Sequence, residues 1–224
     1  MGELGLPATD IAVLAEGEST GSRFDPIRAA GVAEALASRR VTGEEHDPEY
    51  MKIVRYFPED DAPGAFKNGW CAAFVYHCCL EAGLLLPIHF GHTAKSTGSS
   101  RFGGVKGWLQ WGTTNGFCHC DKDGFTPRRG DIVIYNNIIR PEDKYPNNSP
   151  YDHMGIVLAC DSDELLVAEG NVGNKNVSVV VHPVAVYPAV VGSIARHSIV
   201  LPQSFCTQSA RVIIDRLAAS LMFP

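Results

Sequence analysis

The chain lacks the features that mark membrane-spanning, secreted and nucleic-acid-binding proteins. No stretch reaches the roughly 18 consecutive apolar residues of a membrane-spanning helix, and residues 1–7 lack the basic start and apolar run of a secretory signal. Clustered basic charge is also missing, because 25 acidic residues outnumber 19 basic ones and the formal net charge is −6. We therefore expect a soluble protein without a membrane span or a nucleic-acid partner, either cytoplasmic or exported by a non-classical route.

Cysteine is present, but its pattern is not that of a disulfide framework. Seven cysteines are an odd number at uneven spacing, so at least one is free in a monomer. We expect Cys78 and Cys79 to fill core space in a helix. The Cys-His-Cys-Asp segment at 118–121 has poor spacing for zinc and no partner pair downstream. We therefore expect no metal and no cofactor.

The hydrophobic pattern is helical in the first half of the chain and strand-like in the second. Helices are predicted at 11–15, 29–37, 50–56, 71–82, 105–111 and 210–221. Strands rich in Val and Ile are predicted at 131–136, 154–159, 164–169, 177–181 and 191–200. Helices followed by strands favour an α+β fold with a mostly antiparallel sheet over a doubly wound one.

Cys71 stands directly before an apolar run, residues 72–75, that predicts the first turns of a helix. The thiolate is the nucleophilic form of cysteine, and the free N–H groups and positive dipole end of a helix start stabilise it. A cysteine further along the same helix gains far less. Cys71 is therefore the candidate nucleophile.

A candidate base and two candidate orienting groups follow Cys71 along the chain. His153 would take the thiol proton, and Glu169 or Asn171 would accept a hydrogen bond from the far nitrogen of the ring. Glu169 and Asn171 are two residues apart, so on an extended strand both point to the same face. Either side chain, or both, could therefore reach the imidazole.

Three further residues are candidates for substrate binding. Trp108 lies on a predicted helix three residues from Trp111, where either a core position or the rim of a cleft is possible. Trp70 and Asp152 precede Cys71 and His153 directly. We assign Trp70, Trp108 and Asp152 to substrate binding.

Four segments resemble the NlpC/P60-like cysteine hydrolases and, within them, the CHAP domain of cysteine, histidine-dependent amidohydrolases and peptidases. They occur in the order of that family, at Trp70–Val75, Pro127–Val133, His153–Val157 and Glu169–Asn171. The resemblance covers residues 48–200 and implies a papain-like fold, with helices packed on a mostly antiparallel sheet. Residues 1–47 would form an N-terminal helical extension, and residues 201–224 a C-terminal helical tail.

The resemblance also implies roles for the residues of the site. Cys71 would be the nucleophile, His153 the base and later the acid, Glu169 the group that orients the histidine, and Asn171 a further polar member of the site. The implied activity is cleavage of an amide through a thioester. The expected substrate is peptidoglycan or a similar peptide, cut by an endopeptidase or an N-acetylmuramoyl-L-alanine amidase.

Two alternatives to wall hydrolysis stay open at this point. The domain could be a catalytically inactive CHAP-like module that binds a ligand or partner. It could also be a cysteine amidase that acts on a small amide. A Cys71→Ala variant separates the first alternative from an enzyme, and a scan of small amides separates the second.

Overall fold

The computed structural model describes residues 24–57, 62–90, 100–120, 125–136, 151–183 and 211–214. The helices in these ranges are α1 (Pro26–Arg39), α2 (Pro48–Val54), α3 (Ala62–Phe66), α4 (Cys71–Glu81) and α5 (Val105–Thr114). No helix in this part of the chain is long and apolar enough to cross a membrane.

The strands form one large sheet and one short hairpin-like pair. They are β1 (His89–Phe90), β2 (Ser100–Arg101), β3 (Cys118–Cys120), β4 (Ile132–Asn136), β5 (Tyr151–Cys160), β6 (Glu164–Val172), β7 (Asn176–Pro183) and β8 (Arg211–Ile214). Strands β1 and β2 pair with each other, and the other six form an antiparallel sheet in the order β3-β8-β4-β5-β6-β7. The prediction of an α+β fold with a mostly antiparallel sheet is confirmed.

Helix α4 is the central helix of the fold because its sequence is apolar on every side. All residues from Cys71 to Cys79 are buried, and the helix packs against β5 and β6 of the sheet. It ends at Glu81, and Gly83 follows with a φ of 93°, a left-handed conformation that favours glycine. A helix that is apolar all round is stable only when it is enclosed, so α4 lies inside the protein.

Helix α1 packs against α4 and shares its core. The Asp25 side chain caps α1 by accepting hydrogen bonds from the backbone N–H groups of Ile27 and Arg28, at 2.9 and 3.2 Å. Buried alanines, including Ala30 and Ala33, allow α1 to approach α4 and the sheet closely. The domain boundary after residue 47 stays a prediction.

The prediction of a C-terminal helix over 210–221 is wrong for Arg211–Ile214, which form strand β8. This strand lies between β3 and β4 and pairs with both. The sequence Arg-Val-Ile-Ile is rich in β-branched residues, and two ladders of hydrogen bonds outweigh a weak helical propensity. The helix predicted at 11–15 and the strand predicted at 191–200 lie outside the described residues.

Candidate active site

Cys71 is the first residue of helix α4, as predicted. The residue before it, Trp70, makes no side-chain cap hydrogen bond, because an indole has no acceptor to offer the helix. The first backbone N–H groups of a helix have no partner within it. Cys71 therefore sits among donors that can stabilise negative charge, and the residue retains 5% exposure.

His153 lies near the beginning of β5, directly after an irregularity in the sheet. Tyr135 of β4 is opposite His153, whereas Asn136 is opposite Tyr151, so Asp152 is an extra residue in the ladder. Such a bulge redirects the side chains beside it and is often found next to functional sites. The His153 ring stacks on Tyr135, with 6.0 Å between ring centroids and 18° between ring planes.

Cys71, His153 and Glu169 form a continuous chain of interactions. Glu169 lies on β6, the neighbour of β5, and its Oε2 is 2.9 Å from Nε2 of His153. The Cys71 side chain is close enough to His153 to be one of the groups that raise the pKa of its ring. Because Glu169 engages Nε2, Nδ1 is the ring nitrogen left for the thiol.

The protonation states of His153 and Glu169 are set by the groups that contact them. Burial alone would lower the pKa of His153, but Cys71 and Glu169 outweigh it and raise that pKa to about 10. Burial would likewise raise the pKa of Glu169, but hydrogen bonds from His153 and His182 lower it to about 2. The site therefore favours an ionised carboxylate beside a protonated imidazole.

Two glycines provide the space in which these side chains meet. A Cβ on Gly155, which is opposite Glu169 in the ladder, would lie 2.8 Å from the Glu169 Cγ. A Cβ on Gly170 would lie 2.6 Å from the Cβ of Phe74 on helix α4. The absence of side chains at these positions lets Glu169 lie over β5 and lets α4 approach β6.

We expect Gly170→Ala to destabilise the protein by about 1–3 kcal/mol, because overpacking a tight contact forces the backbones apart. The displaced α4 also moves Cys71 away from His153, so alkylation of Cys71 slows. Thermal unfolding and the rate of iodoacetamide labelling measure the two effects. Gly31→Ala is the control, because a Cβ at Gly31 meets nothing within 4 Å. Unchanged stability and labelling for Gly170→Ala would contradict this account of the contact.

Asn171 does not share the geometry of Glu169, and the expectation that both face the same way is wrong. Four residues from Glu169 to Val172 are opposite three residues of β7, and Asn171 adopts a left-handed φ of 60°. This bulge interrupts the alternation on which the expectation rested. The Asn171 Nδ2 instead donates to Oδ1 of Asn174 at 3.0 Å. Glu169 is the residue that binds the His153 ring.

The two tryptophans assigned to substrate binding are core residues, which corrects that prediction. Both Trp70 and Trp108 have 0% exposure, so neither ring has surface left for a substrate. Trp70 packs edge-on against Tyr50 at 5.3 Å between ring centroids. Trp108 donates its Nε1–H to the carbonyl oxygen of Phe102 at 2.8 Å. Their size and apolar character decide their place.

Asp152 is half-buried in the bulge beside His153. The next residue, His153, interacts with Cys71 and Glu169. The assignment of Asp152 to substrate binding stays a prediction.

His182 is a member of the site that the sequence prediction missed. Its Nε2 lies 2.6 Å from Oε1 of Glu169. The predicted strand 177–181 ends one residue before His182, whereas β7 continues to Pro183. A histidine at the end of a valine-rich strand beside the strand of Glu169 was the signal that could have found it.

The remaining candidate for chemistry, the Cys-His-Cys segment, forms strand β3. The ring of His119 stacks on Phe125, with 4.1 Å between centroids. Within the described ranges, no group of three or more His, Cys, Asp or Glu side chains could hold a metal ion.

Comparison with known proteins identifies a family for the part of the chain that contains this site. No curated protein and no solved structure matches the chain. Residues 63–171 match the family model of the CHAP domain, and this range includes Cys71, His153, Glu169 and Asn171. The resemblance in the sequence is thus confirmed, and the chain carries a CHAP domain across residues 63–171.

Proposed function

We propose that the protein is a cysteine hydrolase that cleaves an amide bond in peptidoglycan, as an endopeptidase or an N-acetylmuramoyl-L-alanine amidase. The observation that carries the proposal is the chain from Cys71 through His153 to Glu169. The CHAP domain adds the substrate class, because it suggests amidase or peptidase activity on peptidoglycan.

In the first half of the reaction, Nδ1 of His153 holds the proton of the Cys71 thiol, and the Cys71 thiolate attacks the carbonyl carbon of the amide. The carbonyl π electrons move to oxygen, and the resulting tetrahedral intermediate collapses. The C–N bond breaks, and the protonated His153 gives its proton to the leaving amine. The products of this half are the free amine and a thioester on Cys71.

In the second half, neutral His153 takes a proton from water, and the hydroxide attacks the thioester carbon. The C–S bond breaks, the carboxylic acid leaves and the thiolate of Cys71 is restored beside the protonated ring. Glu169 stays ionised throughout and holds the ring through Nε2, as the carboxylate of a catalytic triad does.

The negative oxygen of each tetrahedral intermediate needs hydrogen-bond donors. We propose the backbone N–H of Cys71 as one donor, because it stands at the start of α4, where no intrahelical acceptor is available. The burial of Cys71 and His153, with 5% and 8% exposure, strengthens such electrostatic contacts by excluding water.

Selective alkylation tests whether Cys71 is the activated thiol. At pH 6 we expect iodoacetamide to label Cys71 about 100-fold faster than an ordinary thiol, because the thiolate is the reactive form. Burial raises the pKa of Cys78 and Cys79, and it raises that of Cys118 to about 11, so these thiols stay protonated. Time-resolved peptide mapping by mass spectrometry measures each rate.

Digestion of purified sacculi tests the substrate. Release of muropeptides, blocked by prior alkylation of Cys71, supports the proposal, and the new ends identify the bond. Cleavage between amino acids marks an endopeptidase, whereas a free L-alanine amine with an unlinked muramic acid marks an amidase. Rapid alkylation without release from any sacculus points to a small amide as the substrate. Equal alkylation of Cys71 and the other thiols points to a binding module.

A further inference from the structure

Glu169 is held by two histidines rather than one. Its Oε2 is 2.9 Å from Nε2 of His153, and its Oε1 is 2.6 Å from Nε2 of His182. The three residues lie on the adjacent strands β5, β6 and β7, with the carboxylate in the middle. The carboxyl group therefore has one oxygen committed to each neighbouring strand.

The protonation of this cluster follows from the chemistry of its members. An ionised carboxylate can only accept hydrogen bonds, so the Nε2 atoms of both histidines carry hydrogen. The Glu169 side chain is 3% exposed, which leaves little access for water to replace a lost donor. Without His182, Oε1 would lose the donor that the described residues give it, and only the contact of Oε2 with His153 would hold the carboxylate.

His182 is less exposed than its neighbours on strand β7. Its side chain is 14% exposed, whereas Val179 and Val181 on the same strand are 43% and 52% exposed. Its ring packs on Tyr135 at 4.7 Å between centroids, and Tyr135 also stacks on His153. The groups that face His182 in the described structure are thus Glu169 from β6 and Tyr135 from β4, with His153 behind them.

We infer that His182 is a positioning residue for amide cleavage: it donates to Oε1 of Glu169 and so fixes the carboxylate that orients His153. The inference rests on the proposed function, because an orienting group has a catalytic effect only if His153 exchanges protons with Cys71. It adds a residue beyond the segment that matches the CHAP family model, since that segment ends at residue 171.

Two substitutions separate the N–H donor of His182 from its ring. His182→Phe keeps a flat ring against Tyr135 and removes the donor, whereas His182→Gln keeps an N–H donor and removes the ring. For His182→Phe we expect kcat to fall about 10- to 100-fold with KM unchanged, because Cys71 and His153 lose their alignment. The acid limb of the pH–rate profile for cleavage moves to higher pH, because Glu169 loses one of the two hydrogen bonds that lower its pKa. His182→Gln restores most of both.

Val181→Ala is the matched control, because this exposed side chain lies on the same strand next to His182. NMR of the imidazole N–H groups gives a readout independent of turnover. In His182→Phe, the Nε2–H signal of His153 should exchange faster with water. Circular dichroism and thermal unfolding establish that each variant is folded.

Different experimental outcomes contradict the role of His182 and the proposed function. Variants that match the wild type in kcat, pH–rate profile and N–H exchange overturn the inference alone. Equal losses in His182→Phe and His182→Gln, with an unchanged pH profile, also overturn it, because they indicate a structural role. A wild-type protein whose Cys71 is not selectively alkylated overturns the proposed function, and with it the catalytic part of the inference.

Discussion

We expect Cys71→Ala to abolish amide cleavage and to leave the fold intact. Alanine supplies no nucleophile, and a residue that forms the covalent intermediate typically accounts for at least about 10⁴-fold in rate. The side chain is small and stands at the first residue of a buried helix, so we expect the thermal midpoint to change little. Release of muropeptides from sacculi and thermal unfolding measure the two effects.

The loss of Cys71 also changes the titration of its partner. Cys71 is one of the groups that raise the pKa of His153, so in Cys71→Ala the ring should lose its proton at a lower pH than in the wild type. Titration of the His153 ring by NMR follows this change directly. A lowered pKa of His153 in the variant means that the thiol interacts with the ring in the wild type.

Cys160→Ala is the control for Cys71→Ala, because Cys160 is half-buried at the far end of β5 from His153. We expect it to retain full cleavage. Cleavage by Cys71→Ala at the wild-type rate would exclude the thioester mechanism. An unchanged titration of His153 in that variant would show that the thiol and the ring do not interact.

Local sequence patterns predict the elements that carry the site because those elements are buried over most of their length. The predicted helix at 71–82 corresponds to Cys71–Glu81, and the predicted strand at 164–169 to Glu164–Val172. Continuous apolar runs leave few other structures that could bury them. The order of Cys71, His153 and Glu169 along these elements then identifies the candidate nucleophile, base and orienting group.

The errors come from features that no local pattern encodes. The bulge at Asn171 and the insertion of β8 between β3 and β4 depend on how distant strands pair. Trp70 directly precedes Cys71 in the sequence, but packing against Tyr50 places it in the core, as packing against Phe102 does for Trp108. Proximity along the chain does not determine which way a side chain points.

His182 is a site residue that no local sequence pattern predicts. It lies 13 residues after Glu169 in the sequence, and only the antiparallel return of β7 beside β6 brings the two together. A residue of this kind follows from sheet order rather than from a motif. The sequence predicts Cys71, His153 and Glu169 as site residues, and the structure adds His182, whose Nε2 is 2.6 Å from Oε1 of Glu169.

Glu169→Gln should lower kcat roughly 10⁴-fold, an effect of the size seen when the orienting carboxylate of a triad becomes an amide. The amide has no charge and can accept from only one histidine through its single oxygen. The charge and hydrogen bond of Glu169 help to raise the pKa of His153, so that pKa falls in the variant. The alkaline limb of the pH–rate profile therefore moves to lower pH, which steady-state kinetics from pH 5 to about 10 would record.

The same substitution changes how stability depends on pH. The pKa of Glu169 is lowered from 4.5 to about 2, so its contribution is fully present above 4.5 and is lost as the pH falls towards 2. The pKa of His153 is raised from 6.5 to about 10, so its contribution is full below 6.5 and is lost as the pH rises towards 10. The stability difference between wild type and Glu169→Gln should therefore be largest between pH 4.5 and 6.5, at about 2–4 kcal/mol.

Glu164→Gln removes the same charge from the exposed first residue of the same strand, so it serves as the control for Glu169→Gln. We expect it to leave the rate, the alkaline limb and the pH dependence of unfolding unchanged. Equal effects of the two substitutions would mean that net charge, and not the contact with His153 and His182, is responsible. If Glu169→Gln keeps the wild-type alkaline limb, the His153 ring titrates independently of residue 169. Glu169 would then have no role in the reaction.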